Sequence, residues 1–315
     1  MQGSIFDRRF LIVGGKGGVG KSTLSAALAL AARDQGKRVL VAELGGKEKV
    51  ASLLGYDGEV GYRVTRVCDG VDVINVTPTE ALHEYGLMKL RWERVYQAVF
   101  ENPVMRSLTR MIPGMNELVL IGKAWHLEQE KDASGAPRWD VIIVDAPATG
   151  HGISLLVLPH VITETVKTGP MLQETRLIRD LLVDPTRTCM NLVTTPEEMP
   201  VQESLELRAR MDDVLRVKPG VLFINRVWPQ AYDPSLTAAL NTYSKDVIER
   251  DPRFAAVLAT TRFLQRRRAA QEEHLKTLQE RCDMSSMEIP FQFSATFGLE
   301  QVRVIAQLIR AECAP

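Results

Sequence analysis

Short runs of apolar residues alternate along the chain with longer stretches whose apolar positions recur at helical spacing. Short apolar runs bounded by glycine or polar residues are typical of buried strands, and longer Ala- and Leu-rich stretches are typical of helices. The predicted strands are 10–13, 38–42, 71–76, 139–144, 190–193, 221–225 and 287–291. The predicted helices are 22–33, 151–167, 170–182, 201–216 and 299–311, and residues 234–282 are mainly helical. This alternation predicts an α/β fold with a doubly wound, mostly parallel sheet.

A long helical pattern interrupts the alternation between about residues 79 and 130. Leu, Met, Arg and Glu are frequent there, with breaks at Asn102-Pro103 and Pro113-Gly114, because proline and glycine end helices. We expect several helices inserted between two strands. The chain is therefore predicted to be one domain over residues 1–315 with a helical insertion.

Composition and charge exclude several classes of protein. Lys plus Arg is 39 and Asp plus Glu is 39, so the net charge is zero, which argues against a nucleic-acid binder. The cysteines are scattered and form no CxxC pair, so neither a disulfide framework nor a zinc site is expected. The chain has no apolar signal core and no apolar run long enough for a bilayer. These features predict a cytoplasmic protein without a transmembrane anchor.

A glycine-rich loop follows the first predicted strand. Residues 14–23 read GGKGGVGKST and match GxxxxGK[ST] from Gly15 to Ser22. Glycines let successive backbone N–H groups face one anion, and the next helix adds the partial positive charge of its N-terminus. The loop therefore predicts a nucleoside triphosphate site with ATP and Mg²⁺ as cofactors. The residues expected to bind the nucleotide in this loop are Gly17, Gly18, Val19, Gly20, Lys21, Ser22 and Thr23.

Three side chains have specific expected roles in this site. Lys21 is expected at the β- and γ-phosphates, and the Ser22 hydroxyl is expected to ligate Mg²⁺. Asp145 ends the apolar run 139–144 and is the second expected magnesium partner.

An alternative interpretation of the same loop remains open. Residues 15–20 also match GxGxxG, and Glu43 ends the next strand, where a dinucleotide-binding fold holds a ribose. This pattern would indicate an NAD-linked oxidoreductase. It is less favoured because Lys21 and Ser22 have no role in it.

The second lysine of the loop points to a particular group of ATPases. The string KGGVGKST resembles the deviant Walker A motif of the dimeric ATPases that include the ArsA, MinD/ParA and NifH proteins. The resemblance implies a homodimer with nucleotide between two facing subunits, in which Lys16 reaches the phosphates of the partner and acts as an arginine finger does. The alternative for Lys16 is a solvated loop lysine.

Further motifs resemble the ArsA family specifically. DAPATGH at 145–151 resembles its switch II motif DTAPTGH, and LLVLP at 155–159 is similar to the continuation of that motif. MIPGMNE at 111–117 resembles the PGxxE element, and VLFINR at 221–226 and IPF at 289–291 resemble the strand and loop that hold adenine. The resemblance implies that Asn225, Pro290 and Phe291 hold adenine.

The family resemblance also implies a function. The resemblance is to ArsA and to the guided-entry ATPases, which target tail-anchored proteins. It implies a P-loop switch that couples ATP hydrolysis to a client protein or a membrane-associated partner. This chain has the bacterial-type form without CxxC, and it lacks the cysteine triad and the two fused halves of the arsenite-pump branch. Met88, Met105, Met111 and Met115 in the helical insertion would suit a client groove, but ordinary helix core is the favoured interpretation because apolar helical spacing alone predicts it.

The stretch after the second strand departs from the family. The family usually has Asp-Pro-Ala-His-Asn there, and its aspartate positions the attacking water, whereas Glu43 begins the stretch ELGGK here. The expected catalytic residues are Lys16, Lys21, Glu43 and Asp145. A misplacement of about 1 Å can cost on the order of a hundredfold in rate, so we expect either slow hydrolysis or a different residue that positions the water. Two alternatives stay open: Glu43 is a structural acid that pairs with Lys47 or Lys49, and the protein binds nucleotide with little or no hydrolysis.

Overall fold

Eight strands of the chain pair into one sheet, in the order β3-β4-β2-β5-β1-β6-β7-β8. The structure is a computed structural model that describes residues 5–45, 48–90, 114–168, 170–230 and 251–313. The strands are β1 Phe10–Gly14, β2 Val39–Leu44, β3 Thr65–Cys68, β4 Val71–Val76, β5 Val141–Asp145, β6 Thr188–Thr194, β7 Pro219–Val227 and β8 Ser285–Pro290. Neighbouring strands are parallel except β3, which pairs antiparallel with β4 at the edge.

Helices cover both faces of this sheet. In the described part of the chain they are α1 Lys21–Arg33, α2 Val50–Leu53, α3 Pro78–Leu90, α4 Met115–Gln129, α5 Thr149–Thr165, α6 Pro170–Val183, α7 Glu198–Arg210, α8 Pro252–Arg281 and α9 Leu299–Cys313. A π-helical turn, Met211–Leu215, continues α7. No helix in the described ranges combines the length and the apolar character needed to cross a membrane.

The apolar side chains of the strands divide between two cores. Phe10 and Ile12 of β1 belong to the core beneath α4, α5 and α6, whereas Leu11 and Val13 belong to the core beneath α1 and α9. Every residue of β1, β2, β4, β5 and β6 is buried. Strands covered on both faces are characteristic of parallel sheets, which explains why they read as continuous apolar runs.

The predicted fold class, a doubly wound and mostly parallel sheet, is confirmed, and the predicted strands lie within a few residues of the observed ones. The sequence analysis missed β3, because TRVC is a short edge strand with partly exposed side chains and no apolar run. The prediction of one helix over 201–216 is wrong at both ends, since α7 begins at Glu198 and changes to π geometry at Met211. Two helices of the predicted insertion, α3 and α4, are present, and residues 91–113, with Met105 and Met111, lie outside the described residues.

A buried carboxylate fixes α4 on the sheet. Glu128, near the end of α4, is 1% exposed and accepts hydrogen bonds from Arg9 Nη1 at 3.2 Å and from Arg187 Nη2 at 2.7 Å. Arg9 and Arg187 directly precede β1 and β6, so the pairing ties α4 to the amino ends of two central strands. Removing one partner of a buried ion pair leaves uncompensated charge, which costs more than the pair contributes.

We expect Glu128→Gln to lower the free energy of unfolding by roughly 2–4 kcal/mol, because it leaves two guanidinium groups without their carboxylate. The matched control is Glu130→Gln, which breaks the solvent-exposed pair with Arg138 at 2.7 Å and should cost less than about 1 kcal/mol. Urea denaturation of both variants measures the difference. Equal losses in the two variants would show that Glu128 does not anchor α4.

Candidate functional site

The carboxyl ends of the central strands bring two acidic residues together at one edge of the sheet. Asp145, at the end of β5, is the register partner of Val13 on β1 and of Glu43 on β2. Both carboxyl side chains are buried, with Glu43 2% and Asp145 8% exposed. Ligands of doubly wound sheets bind outside this edge, so these carboxylates mark the candidate site.

The glycine loop between β1 and α1 borders the same edge. Gly15 and Gly20 have φ values of +145° and +101°. A Cβ at Gly15 would lie 2.2 Å from the Val193 carbonyl oxygen, and one at Gly20 would lie 2.3 Å from Asn225 Nδ2. Only glycine fits these two positions. The loop then enters α1 with no side-chain cap, which leaves the first N–H groups of the helix for an anion.

The Lys21 ammonium group is held inside this loop. Lys21 Nζ donates hydrogen bonds to the carbonyl oxygens of Gly15 and Lys16, each at 3.0 Å. Burial lowers the pKa of Lys21, and the nearby Asp145 carboxylate partly opposes that shift. A partly buried ammonium beside a helix N-terminus without a side-chain cap is an arrangement that favours a polyphosphate.

Asp145, at the end of β5, accepts hydrogen bonds from two serine hydroxyl groups of α1, the helix that follows the glycine loop. Ser22 Oγ donates to Asp145 Oδ2 at 2.7 Å, and Ser25 Oγ donates to Oδ1 at 3.2 Å. Burial raises the pKa of Asp145, and the Ser22 hydrogen bond and the Lys21 charge oppose the rise. The residues present fit Mg²⁺, since hydroxyl and carboxylate oxygens are the ligands it prefers and a cation would offset the buried charge.

Glu43 binds the start of α2 with only one of its two carboxylate oxygens. Oε1 accepts hydrogen bonds from the backbone N–H groups of Lys49 at 2.9 Å and Val50 at 3.1 Å. Oε2 is buried, and the described residues give it no hydrogen-bond partner. Burial raises the pKa of Glu43 to about 7, and the charges of Asp145 and Glu48 add to the rise. The contact with Lys49 is thus made to its backbone, while Lys47 lies outside the described residues.

Lys16 contacts a helix distant in sequence. Lys16 Nζ forms an ion pair with Glu203 Oε1 on α7 at 2.9 Å, and the two side chains are 29% and 27% exposed. In this structure Lys16 is therefore a half-buried, paired lysine. Sequence reasoning missed Glu203, because no local pattern indicates a contact across so many residues.

The residues expected at adenine lie at the carboxyl ends of β7 and β8, and Asn225 contacts the glycine loop. Asn225 is buried and its Nδ2 donates to the Val19 carbonyl oxygen at 2.8 Å, so it supports the glycine loop directly. Pro290 is the register partner of Val227, two residues beyond Asn225. Phe291 stacks on Trp228 with ring centroids 4.6 Å apart.

Two further residues at the site, besides Glu203, were missed by the sequence analysis. Ser25 lies three residues after Ser22 on α1, and this helical spacing could have indicated that both hydroxyls face Asp145. Trp228 could not have been found in this way, because its contact with Phe291 depends on the pairing of β7 and β8.

Comparison with known proteins decides the family. Residues 8–169, just over half of the chain, match the family model described as anion-transporting ATPase, which contains ArsA. The chain belongs to this family. Membership confirms the resemblance drawn from the loop and from DAPATGH, and it sets aside the NAD-linked alternative. The protein is a P-loop ATPase, which also favours hydrolysis over nucleotide binding alone.

Relatives in the family include bacterial and archaeal ATPases. The chain is 29% identical over 237 residues to ATPase BagA of Mycobacterium tuberculosis, covering 72% of this chain and 67% of the relative. It is 28% identical over 277 residues to an arsenical pump-driving ATPase of Escherichia coli, covering 81% of this chain and 46% of the relative. A putative arsenical pump-driving ATPase of Halobacterium salinarum is 22% identical over 308 residues, covering 94% of this chain and 44% of the relative. The chain thus spans less than half the length of these two pump-driving relatives.

Replacing Glu43 should change how stability depends on pH. Because the pKa of Glu43 rises from 4.5 to about 7 on folding, the folded protein binds the extra proton and loses stability as pH rises between these values. Glu43→Gln keeps an acceptor for the Lys49 and Val50 N–H groups and removes this loss. Relative to its value at pH 4.5, we expect the stability of the variant to exceed that of the wild type by on the order of 1–3 kcal/mol near pH 8.

Chemical denaturation from pH 4.5 to 8 measures this difference, and Glu48→Gln is the control on the same loop. Hydrogen bonds from the Gly61 and Val60 N–H groups lower the pKa of Glu48 below its ordinary value of 4.5. The stability linked to this shift is gained mainly below pH 4.5, so the profile of that variant should run nearly parallel to the wild type from pH 4.5 to 8. Parallel profiles for Glu43→Gln and the wild type would contradict the shift at Glu43.

Proposed function

We propose that this ATPase is a Mg²⁺-dependent homodimeric switch in the cytoplasm, where ATP is available. In this proposal, a helical insertion at about 79–130 couples ATP hydrolysis to a client protein or a membrane-associated partner. The observation that carries the proposal is the packing of α4 against the loop that follows Glu43, which itself lies beside the loop that follows Asp145. Support for the nucleotide chemistry, the coupling and the client site comes from separate parts of the structure.

The loop supplies the groups that bind phosphate. The N–H groups of Gly17, Gly18, Val19 and Gly20 and those of Ser22 and Thr23 at the start of α1 surround the phosphates, and Lys21 exchanges its two carbonyl partners for phosphate oxygens. Ser22 and Asp145 hold Mg²⁺, which when bound neutralises charge on the phosphates. Asn225, Pro290 and Phe291 hold adenine.

Glu43 and Lys16 complete the proposed catalytic group. Oε2 of Glu43 lacks a partner among the described residues and is available to orient the attacking water, while Oε1 stays on α2. A carboxyl group whose pKa lies at about 7 can also accept a proton near neutral pH. Lys16 acts on the nucleotide of the partner subunit, where its charge stabilises the transition state.

Coupling begins where α4 touches the nucleotide edge. Leu120 of α4 is 4% exposed and lies beside Gly45, since a Cβ at Gly45 would be 3.3 Å from Leu120 Cδ1. The same position would be 3.9 Å from Pro147 Cγ in the loop after β5. A change in the loop after Glu43 when the γ-phosphate is lost therefore presses on α4, which also contacts α3, α5 and α6.

The client site is a cavity between α3, α4 and α6. Its volume is about 330 Å³, and its lining is mostly apolar and includes Met88 and Met115. Charged groups in the wall pair with neighbours, as in the contact between Lys123 Nζ and Glu84 Oε2 at 2.8 Å. An apolar cavity with flexible thioether side chains favours the apolar face of a client helix.

The role of Lys16 can be separated from that of Lys21. We expect Lys21→Ala to abolish ATP binding, because it removes the cation that contacts the phosphates. Lys16→Ala should keep most of the nucleotide affinity and lose the part of turnover that rises with protein concentration. Steady-state phosphate release, measured across protein concentrations, distinguishes the two.

Lys276→Ala is the control for these variants, since Lys276 is 73% exposed on α8 and pairs with Glu280 one turn away at 3.7 Å. It should turn over as the wild type does. Identical concentration dependence in Lys16→Ala and the wild type would refute the action of Lys16 on the partner subunit.

A charge placed in the cavity should block the client. Met88 is 49% exposed, so Met88→Lys is compatible with folding, but its ammonium opposes the burial of an apolar helix. We expect at least about a tenfold weaker affinity for a fluorescent apolar helical peptide, measured by anisotropy, with basal ATPase activity unchanged. Val257→Lys on α8 is the control, since Val257 is 56% exposed and lies outside the cavity lining. Peptide binding that is insensitive to Met88→Lys would argue against this site.

A further inference from the structure

The glycine-loop lysine and Glu203 meet through the order of the strands. Lys16 follows β1, and Glu203 lies in the second turn of α7, which follows β6. Because β1 and β6 are parallel neighbours, their carboxyl ends bring the loop and α7 together. The resulting ion pair has Nζ and Oε1 2.9 Å apart, with about a quarter of each side chain exposed.

The Glu203 carboxylate also influences Lys21, the other lysine of the loop. Its charge raises the pKa of Lys21, against the larger lowering caused by burial. Glu203 therefore pairs directly with the Lys16 ammonium, and its charge also acts on that of Lys21. A carboxylate in this place competes with the nucleotide for the same cations.

Lys16 cannot keep this contact and also serve a second subunit. In the proposed function, its ammonium reaches the phosphates bound by the partner, which requires Nζ to leave Glu203. Phosphate is the stronger competitor because it carries more negative charge than one carboxylate. The exchange therefore becomes favourable only when a nucleotide-loaded partner is in place.

We propose that Glu203 is a positioning residue that holds the Lys16 ammonium on its own protomer until a partner's phosphates displace it. This inference rests on the proposed homodimeric function. It adds a residue that restrains premature assembly and makes the closed dimer depend on nucleotide. Each dimer breaks two such pairs, so the restraint acts twice on the assembly equilibrium.

The test uses the full chain with Mg²⁺ and a non-hydrolysable ATP analogue, and it measures dimer formation by analytical ultracentrifugation. We expect Glu203→Gln to lower the protein concentration at half-maximal dimer roughly two- to tenfold, because two partly exposed ion pairs no longer oppose assembly. Glu203→Asp restores the charge and should return towards the wild type. Glu206→Gln is the matched control, since Glu206 lies on the same helix and accepts a hydrogen bond from Gln202 at 3.0 Å.

A double substitution separates positioning from a general effect on structure. In a Lys16→Ala background, Glu203→Gln should cause no further shift, because the group that Glu203 holds is already absent. An equal shift in both backgrounds, or unchanged or weaker assembly of Glu203→Gln, would overturn the assignment of Glu203 while the wild type still dimerises. Failure of the wild type and of Glu206→Gln to dimerise with the analogue would overturn the proposed homodimer and this inference together.

Discussion

Two carboxylates buried side by side, Glu43 and Asp145, impose the constraint on which the rest of the site depends. They are register partners on β2 and β5, and burial raises the pKa of both. The protein offsets this charge with the Ser22 and Ser25 hydroxyls at Asp145 and two backbone N–H groups at Glu43. The compensation is incomplete, because Glu43 Oε2 has no partner in the described part of the chain. A site with buried negative charge and incomplete pairing is suited to a metal cation and a polarised water.

The glycine loop carries positive charge through its lysines and is held in place by a few hydrogen bonds. Lys21 folds back onto the carbonyl oxygens of Gly15 and Lys16, while Asn225 supports the loop from β7. The loop is thus shaped before a nucleotide arrives, which lowers the entropic cost of binding. Lys16 is the exception, since it points to α7 and pairs with Glu203.

Helix α4 joins this chemistry to the helical side of the molecule. Near its end Glu128 is fixed to Arg9 and Arg187 at the amino ends of β1 and β6, and in its middle Leu120 lies against Gly45 in the loop at the carboxyl end of β2. The helix therefore crosses the sheet from the anchored edge to the nucleotide edge. Its other side lines the apolar cavity, so one helix contacts both the proposed client site and the loop after β2 that is proposed to respond to nucleotide.

The sequence by itself determined the sheet strands, the glycine loop and the family, because these depend on local patterns. Apolar runs such as 141–144 are recognisable as strands because helices cover both faces of the sheet. The string GGKGGVGKST specifies the geometry of its loop because it places glycine at positions that no other residue fits. The edge strand β3 lacked such a pattern.

Only the tertiary structure decided the partners of the charged groups. Glu43 caps α2 with one oxygen, and Lys16 meets Glu203 across neighbouring strands. Phe291 meets Trp228 through the pairing of β7 and β8. Such contacts join residues far apart in the chain, and long side chains can satisfy their charge in several ways, so the packing of strands and helices selects among them.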